Sequence, residues 1–180
     1  AFMCSIAKEH VISAPNVDNI YDVPLNFERD RFGDKILAKL GLKSKRRDLE
    51  NWRRLSRAVK RSGPQVRIGI VGKYFGTGDF VLTDSYISVI EALKHAAYYL
   101  KQKPVIEWLG SEEFEEHPKN IKKLANYNGI IVPGGFGARG VEGKILAVEY
   151  VRKHKIPYLG LCYGLQMAVI EFSRNVCKLK

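Results

Sequence analysis

A cysteine flanked by glycines, Gly160-Leu161-Cys162-Tyr163-Gly164, stands where the apolar run Ile156 to Leu161 gives way to a helix-like stretch, Cys162 to Phe172. The order G-x-nucleophile-x-G forces its middle residue into a sharp strand-to-helix turn, and glycine two positions to either side lets strand and helix approach closely. The thiol is then presented at the amino end of a helix, where unpaired N–H groups and aligned peptide dipoles favour a thiolate nucleophile. A buried packing cysteine is the rival reading, and the paired glycines favour the nucleophile. Cys4 and Cys177 lack such surroundings and read as small core hydrophobes. A second run, Pro133-Gly134-Gly135-Phe136-Gly137-Ala138-Arg139-Gly140, follows the apolar Gly129 to Val132. Its clustered glycines let main-chain N–H groups turn toward a ligand, as an anion cradle or an oxyanion hole. It has neither the Lys-Ser/Thr ending of a P-loop nor the G-x-G-x-x-G order of a dinucleotide site. Beside Cys162 the oxyanion hole is the more economical reading, and the pair specifies acyl transfer through a thioester.

Both runs must be held at strand ends. Val66 to Val71, Pro104 to Leu109, Gly129 to Val132 and Ile156 to Leu161 read as short buried strands. Between them the spacing predicts helices over Ser85 to Leu100, capped by Thr83-Asp84, and over Val141 to Lys153. Ser111 and the acidic cluster Glu112, Glu113, Glu115 and Glu116 begin a polar connection, and Ile121 to Leu124 reads as a short helical piece. Alternating strands and helices imply a partial doubly wound, mostly parallel α/β sheet, whose ligands bind at the carboxyl ends of the strands.

The chain has 180 residues, with 30 Lys and Arg against 19 Asp and Glu, a formal charge of +11. Residues 43 to 61 hold nine basic residues against Asp48 and Glu50, which places most of that excess in one segment. Phosphate binding is one reading of such a run. No nucleic-acid module accompanies it, so we read a helix that packs Leu49, Trp52, Leu55, Ser56 and Val59 inward and turns Arg53, Arg54, Arg57 and Lys60 to water or a neighbouring domain. Arg61-Ser62-Gly63-Pro64 breaks this helix and puts the best domain boundary at residues 62 to 66. At 46% hydrophobic and 27% charged the composition is that of a folded protein. No apolar run is long enough to span a membrane, and the opening AFMCSIAKEH carries no secretory pattern. Three widely spaced cysteines argue against a disulfide framework and against clustered zinc ligands, so a reducing cytoplasm is the expected compartment.

The segments IVPGGFGARGVEGK, IPYLGLCYGLQ and DSYISVIEALKHA together resemble the glutamine amidotransferase domain of the CTP synthase family, within the class I, triad-type amidotransferases. VISAPNVDNIYDVPLNF is similar to the end of that family's synthetase domain. The resemblance implies a flavodoxin-like amidotransferase fold over 66–180, a basic interdomain linker helix over 43–65, and a remnant of a P-loop-type α/β synthetase domain over 1–42. It implies CTP formation from UTP, ATP and glutamine, with Mg²⁺, with GTP as allosteric activator, and in a homotetramer. Cys162 would then attack the glutamine carboxamide, and the Gly135 N–H would face the developing oxyanion. Tyr163, Gly164, Leu165 and Gln166 would line the glutamine site, and Phe136 would stand near its mouth. Pro15, Asn16 and Val17 would contact the adenine of ATP. The chain departs from the family text at Asn16, often Asp, and at Cys-Tyr-Gly-Leu-Gln, where Cys-Leu-Gly-Met-Gln is usual.

The same resemblance implies a histidine and a carboxylate after the nucleophile, whereas the histidines here are His10, His95, His117 and His154. It also implies a P-loop, magnesium-binding acids and a UTP site before residue 1. The expectation is therefore an internal piece of a longer enzyme, holding no metal site and completing neither half-reaction alone. Two other readings compete. One is a stand-alone cysteine hydrolase or deglycase of the same superfold, for which residues 1 to 60 would be dispensable. The other is a non-enzymatic basic binding module working through residues 43 to 61.

Overall fold

The computed structural model describes residues 3, 5–45, 47–61, 63–73 and 86–179, and they form two compact units, 1–62 and 63–180. Cys4, the Thr83-Asp84 cap and the start of the helix at Ser85 lie outside the described residues.

In the first unit Asn19 caps a 3-10 turn, Ile20–Asp22, by accepting the Tyr21 N–H at 3.1 Å. Helices α1 (Val23–Arg29) and α2 (Phe32–Lys39) follow, joined by Phe27 and Phe32, whose ring centroids are 5.0 Å apart. The basic run forms α3 (Glu50–Lys60), which packs on the Ile20–Asp22 turn and on α1. Ser56 is buried there and donates its hydroxyl to the Asp22 carboxylate, while Lys60 Nζ sits 2.8 Å from the same group. Lys60 first, then Ser56, hold the Asp22 carboxyl below the usual carboxylate range. One detail departs from the expected helix face. Lys60, though paired with Asp22, keeps 61% of its side chain exposed as expected, whereas Trp52 stays 41% exposed because Leu55, Ser56 and Val59 take the inward stripe.

The second unit is an α/β domain of the expected class. Strands β1 (Gln65–Gly72), β2 (Lys103–Gly110), β3 (Gly129–Val132) and β4 (Tyr158–Gly160) form a parallel sheet in the order β2-β1-β3-β4. The expected fourth strand, Ile156 to Leu161, is confined to Tyr158–Gly160. Side chains alternate between the two faces. On one, Ile70, Ile106 and Trp108 meet Val89 and Leu93 of α4 (Ile87–Tyr99). On the other, Val71, Leu109, Ile130 and Val132 pack with Phe114, Leu124, Ala147 and Val151.

That second layer holds α5 (Ser111–Glu116), a 3-10 stretch over Pro118–Asn126, and α6 (Val141–Lys153), joined by α7 (Tyr163–Asn175). The supposed polar connection is thus a helix in part. Its Ser111 and Phe114 are wholly buried while its glutamates stay nearer the surface, where Glu113 pairs with Lys123. α6 and α7 are clamped by Arg152, which donates to both carboxylate oxygens of the buried Glu171 at 2.6 to 3.2 Å. That guanidinium holds the Glu171 carboxyl below the ordinary range. Cys177 is exposed just past α7, not a core hydrophobe, because the helix ends at Asn175 and residues 176–179 all lie on the surface. Among the described residues no helix is long and apolar enough to cross a membrane.

Candidate active site

The strand order reverses between β1 and β3, because the chain leaves β1 toward β2 on one side and later returns to β3 on the other. Ligands of such sheets gather at the carboxyl ends of the strands flanking that reversal. Lys73 follows β1, the run from Pro133 to Gly140 follows β3, and Cys162 lies just after β4.

Cys162 has φ 51° and ψ −104°, a backbone conformation that L-residues rarely adopt, and its side chain is exposed. The turn is held from several directions. The Leu161 N–H donates to the Val132 carbonyl at 2.9 Å, tying the elbow to the end of β3. Tyr158 donates its phenol to the Gly164 carbonyl at 2.7 Å, and burial raises the Tyr158 pKa, so the hydroxyl keeps the proton it donates. The two glycines are required by space rather than by φ. A Cβ on Gly160 would come within 2.6 Å of Gly164 C and Leu165 N, and one on Gly164 would lie 2.8 Å from Val132 C and overlap its oxygen.

The glycine loop faces this elbow. A Cβ on Gly134 would meet Cys162 Cβ at 3.7 Å, and one on Gly135 would meet Tyr163 Cδ1 at 3.8 Å and Lys144 Nζ at 3.6 Å. Tyr86 donates to the Gly134 carbonyl at 3.3 Å. Tyr86, Ser88, Val89, Gly134, Gly135, Phe136 and Cys162 line an open pocket of about 540 Å³. Phe136 is 81% exposed at its rim. The structure therefore brings together Cys162, Gly135 and Tyr163, with Gly164 buried behind them. Leu165 and Gln166 lie exposed in the first turn of α7. Pro15, Asn16 and Val17 belong to the first unit, in a stretch that is neither helix nor strand.

Two lysines beneath the loop escaped the sequence reading. Lys144 on α6 is 1% exposed, with its ammonium 4.9 Å from the Tyr163 ring centroid, and Lys73 is 8% exposed and donates to the Gly137 carbonyl at 3.5 Å. The available signal was position: Lys144 sits between Gly143 and Ile145 on a helix whose other inward residues are apolar. Burial first, then the charge of Lys73, push the Lys144 pKa down to about 8, with Glu115 opposing. An unfolded lysine keeps its proton to about pH 10.4, so between those values the unfolded chain binds more protons and stability rises with pH. Lys144→Met is expected to raise the melting temperature at pH 7 and to flatten its rise between pH 8 and 10. Melting curves of both proteins across that range check this, and an unchanged slope would refute it.

Among the described residues no group of three His, Cys, Asp or Glu side chains converges to hold a metal, and no histidine lines the Cys162 pocket. His154 instead stacks on Tyr150 at 3.8 Å beyond α6.

Comparison with known proteins agrees with this geometry. The model of the family described as glutamine amidotransferase class-I matches residues 81–180. A CTP synthase of Carboxydothermus hydrogenoformans is 48% identical over 180 residues, which is 100% of this chain and 32% of that protein. One from Pyrococcus abyssi is 46% identical over 98% of this chain and 32% of its own length. The chain thus spans about a third of the curated relatives it matches. A solved structure, the Trypanosoma brucei CTPS glutaminase domain with bound acivicin, superposes with a TM-score of 0.55 at 43% identity, covering 62% of this chain and 41% of that one. With a family model over residues 81–180 and a parallel sheet that turns into a strained cysteine elbow, this chain belongs to the class I glutamine amidotransferase family.

Proposed function

We propose that Cys162 is the nucleophile of a glutaminase and that the polypeptide carrying this chain is a CTP synthase, forming CTP from UTP, ATP and glutamine. The observation that carries the reading is the strained Cys162 elbow facing the Gly134-Gly135 turn across one pocket. In the proposed reaction the thiolate sulfur attacks the carboxamide carbon of glutamine. Charge gathers on the former carbonyl oxygen, and the Gly135 N–H donates to it. The carbon–nitrogen bond breaks, ammonia leaves with a proton delivered by the family's histidine, and water then cleaves the thioester to glutamate. Tyr163, Gly164, Leu165 and Gln166 are the proposed wall of the glutamine site.

The same proposal assigns residues 1–42 to the end of the synthetase domain, 43–65 to a linker helix and 66–180 to the amidotransferase domain. Pro15, Asn16 and Val17 would meet the adenine of ATP. A homotetramer, activation by GTP and a cytoplasmic setting complete it. ATP would bring Mg²⁺ with it, but the described residues offer that ion no ligand set. The full-length polypeptide treated with a diazoketone analogue of glutamine is expected to carry one adduct, on Cys162, with dinitrogen lost and with excess glutamine protecting. An adduct elsewhere, or none, would refute the assignment.

A further inference from the structure

Tyr163 follows the nucleophile directly, yet its side chain reaches back to the loop after β3. The phenol donates to the Gly137 carbonyl at 2.8 Å, and that oxygen also accepts from Lys73 Nζ at 3.5 Å. The ring lies 4.9 Å from Lys144 Nζ and in van der Waals reach of the Gly135 position. Because Tyr163 is the first residue of α7, its ring direction is set by the same helix turn that sets Cys162. Between Gly134 and Gly140 the glycines leave the loop little conformational preference of its own, and Gly137 itself has φ 77°. Hydrogen bonds from outside must therefore decide where its N–H groups point. Among the described residues the loop's carbonyls take three such ties, Tyr86 to Gly134 O, Lys73 to Gly137 O and Tyr163 to Gly137 O, and the loop's Arg139 donates outward to the Lys73 carbonyl at 3.4 Å. Of the three donors, only Tyr163 adjoins Cys162 in sequence.

We infer that the Tyr163 hydroxyl is a positioning group that locks the Gly134–Gly137 loop to the nucleophile elbow, so that the Gly135 N–H stays aligned with the oxygen that Cys162 makes negative. The inference rests on the glutaminase reading proposed above. Tyr163 acts through the loop. Lys144, over its ring, adds positive charge close to Gly135.

Tyr163→Phe keeps the ring over Lys144 and removes only the donor. Losing one such hydrogen bond corresponds to roughly a fivefold to tenfold effect. In the full-length polypeptide, amide exchange of the peptide covering 134–138 is expected to quicken about tenfold in this variant, while the peptide covering 167–175 of α7 keeps its rate. Glutamine hydrolysis is expected to lose kcat about fivefold with KM within twofold. Alkylation of Cys162 by iodoacetamide, which needs a reachable thiol but no oxyanion donor, should stay unchanged. Loop exchange equal to the parent's overturns the inference. So does a parallel loss of iodoacetamide reactivity or of α7 protection, which would assign Tyr163 a general structural role. If the parent neither hydrolyses glutamine nor takes the diazoketone, the glutaminase reading fails on its own, and the exchange arm still decides whether Tyr163 holds the loop.

Discussion

Cys162→Gly is expected to abolish glutamine hydrolysis and, in the same protein, to raise the melting temperature. The first effect follows from chemistry: without sulfur no thioester forms, and loss of a covalent nucleophile costs at least about a thousandfold in kcat. The second follows from backbone geometry. At φ 51° and ψ −104° a residue with a Cβ carries strain of about 1–3 kcal/mol, which glycine does not feel. Glycine returns about 0.5–1 kcal/mol of that through the greater freedom of the unfolded chain. A net gain near 1 kcal/mol raises the melting temperature by about 2–4 °C for a domain of this size. Cys162→Ala separates the two effects, since it removes the sulfur while keeping the Cβ; it should be as inactive as the glycine variant but no more stable than the parent. Calorimetry beside a glutaminase assay checks both. A glycine variant that melts lower than the parent would show that the elbow is relaxed and the cysteine not held in tension by its surroundings.

What could be read from residue order alone follows a physical division. Strand and helix positions depend on local alternation, so Val66 to Val71 and Val141 to Lys153 were legible as β1 and α6. The cysteine elbow was legible because its demands, glycine at 160 and 164, are local as well. Burial of charge is not local. Lys73, Lys144 and Glu171 are polar by type, and only the packing of other elements around them takes them out of water. For Glu171 the partner is Arg152, nineteen residues away on another helix. The same holds for Ser111–Glu116, whose acidic composition suggested a connection although Phe114 anchors it as a helix in the core. Cys177 errs the other way: its type suggested a core position, but it falls six residues past Glu171, the last buried residue of α7, on an exposed stretch.

Gly164→Ala is expected to destabilise the second unit strongly through one added methyl. The added carbon would overlap the Val132 carbonyl oxygen and lie 2.8 Å from its carbon and 3.0 Å from Val132 Cβ. None of these atoms can yield freely. Val132 is wholly buried, its oxygen accepts the Leu161 N–H, and the Gly164 carbonyl is itself pinned by Tyr158. Relief therefore requires α7 to move off the end of β3, which breaks those bonds and opens the core around Met167. Overpacking of this kind costs about 1–3 kcal/mol where neighbours can shift. Here the neighbour is backbone, so we expect at least about 3 kcal/mol, a fall of roughly 6–12 °C in melting temperature. The elbow shifts with the helix, so glutamine hydrolysis should fall even well below the new melting point. Gly33→Ala is the matching control: it lies within α2, where an added Cβ meets nothing within 4 Å, and helix propensity favours alanine by up to about 1 kcal/mol. Thermal denaturation of the two variants beside the parent decides the matter, and a Gly164→Ala protein melting within 2 °C of the parent would mean that strand and helix do not meet as closely as described.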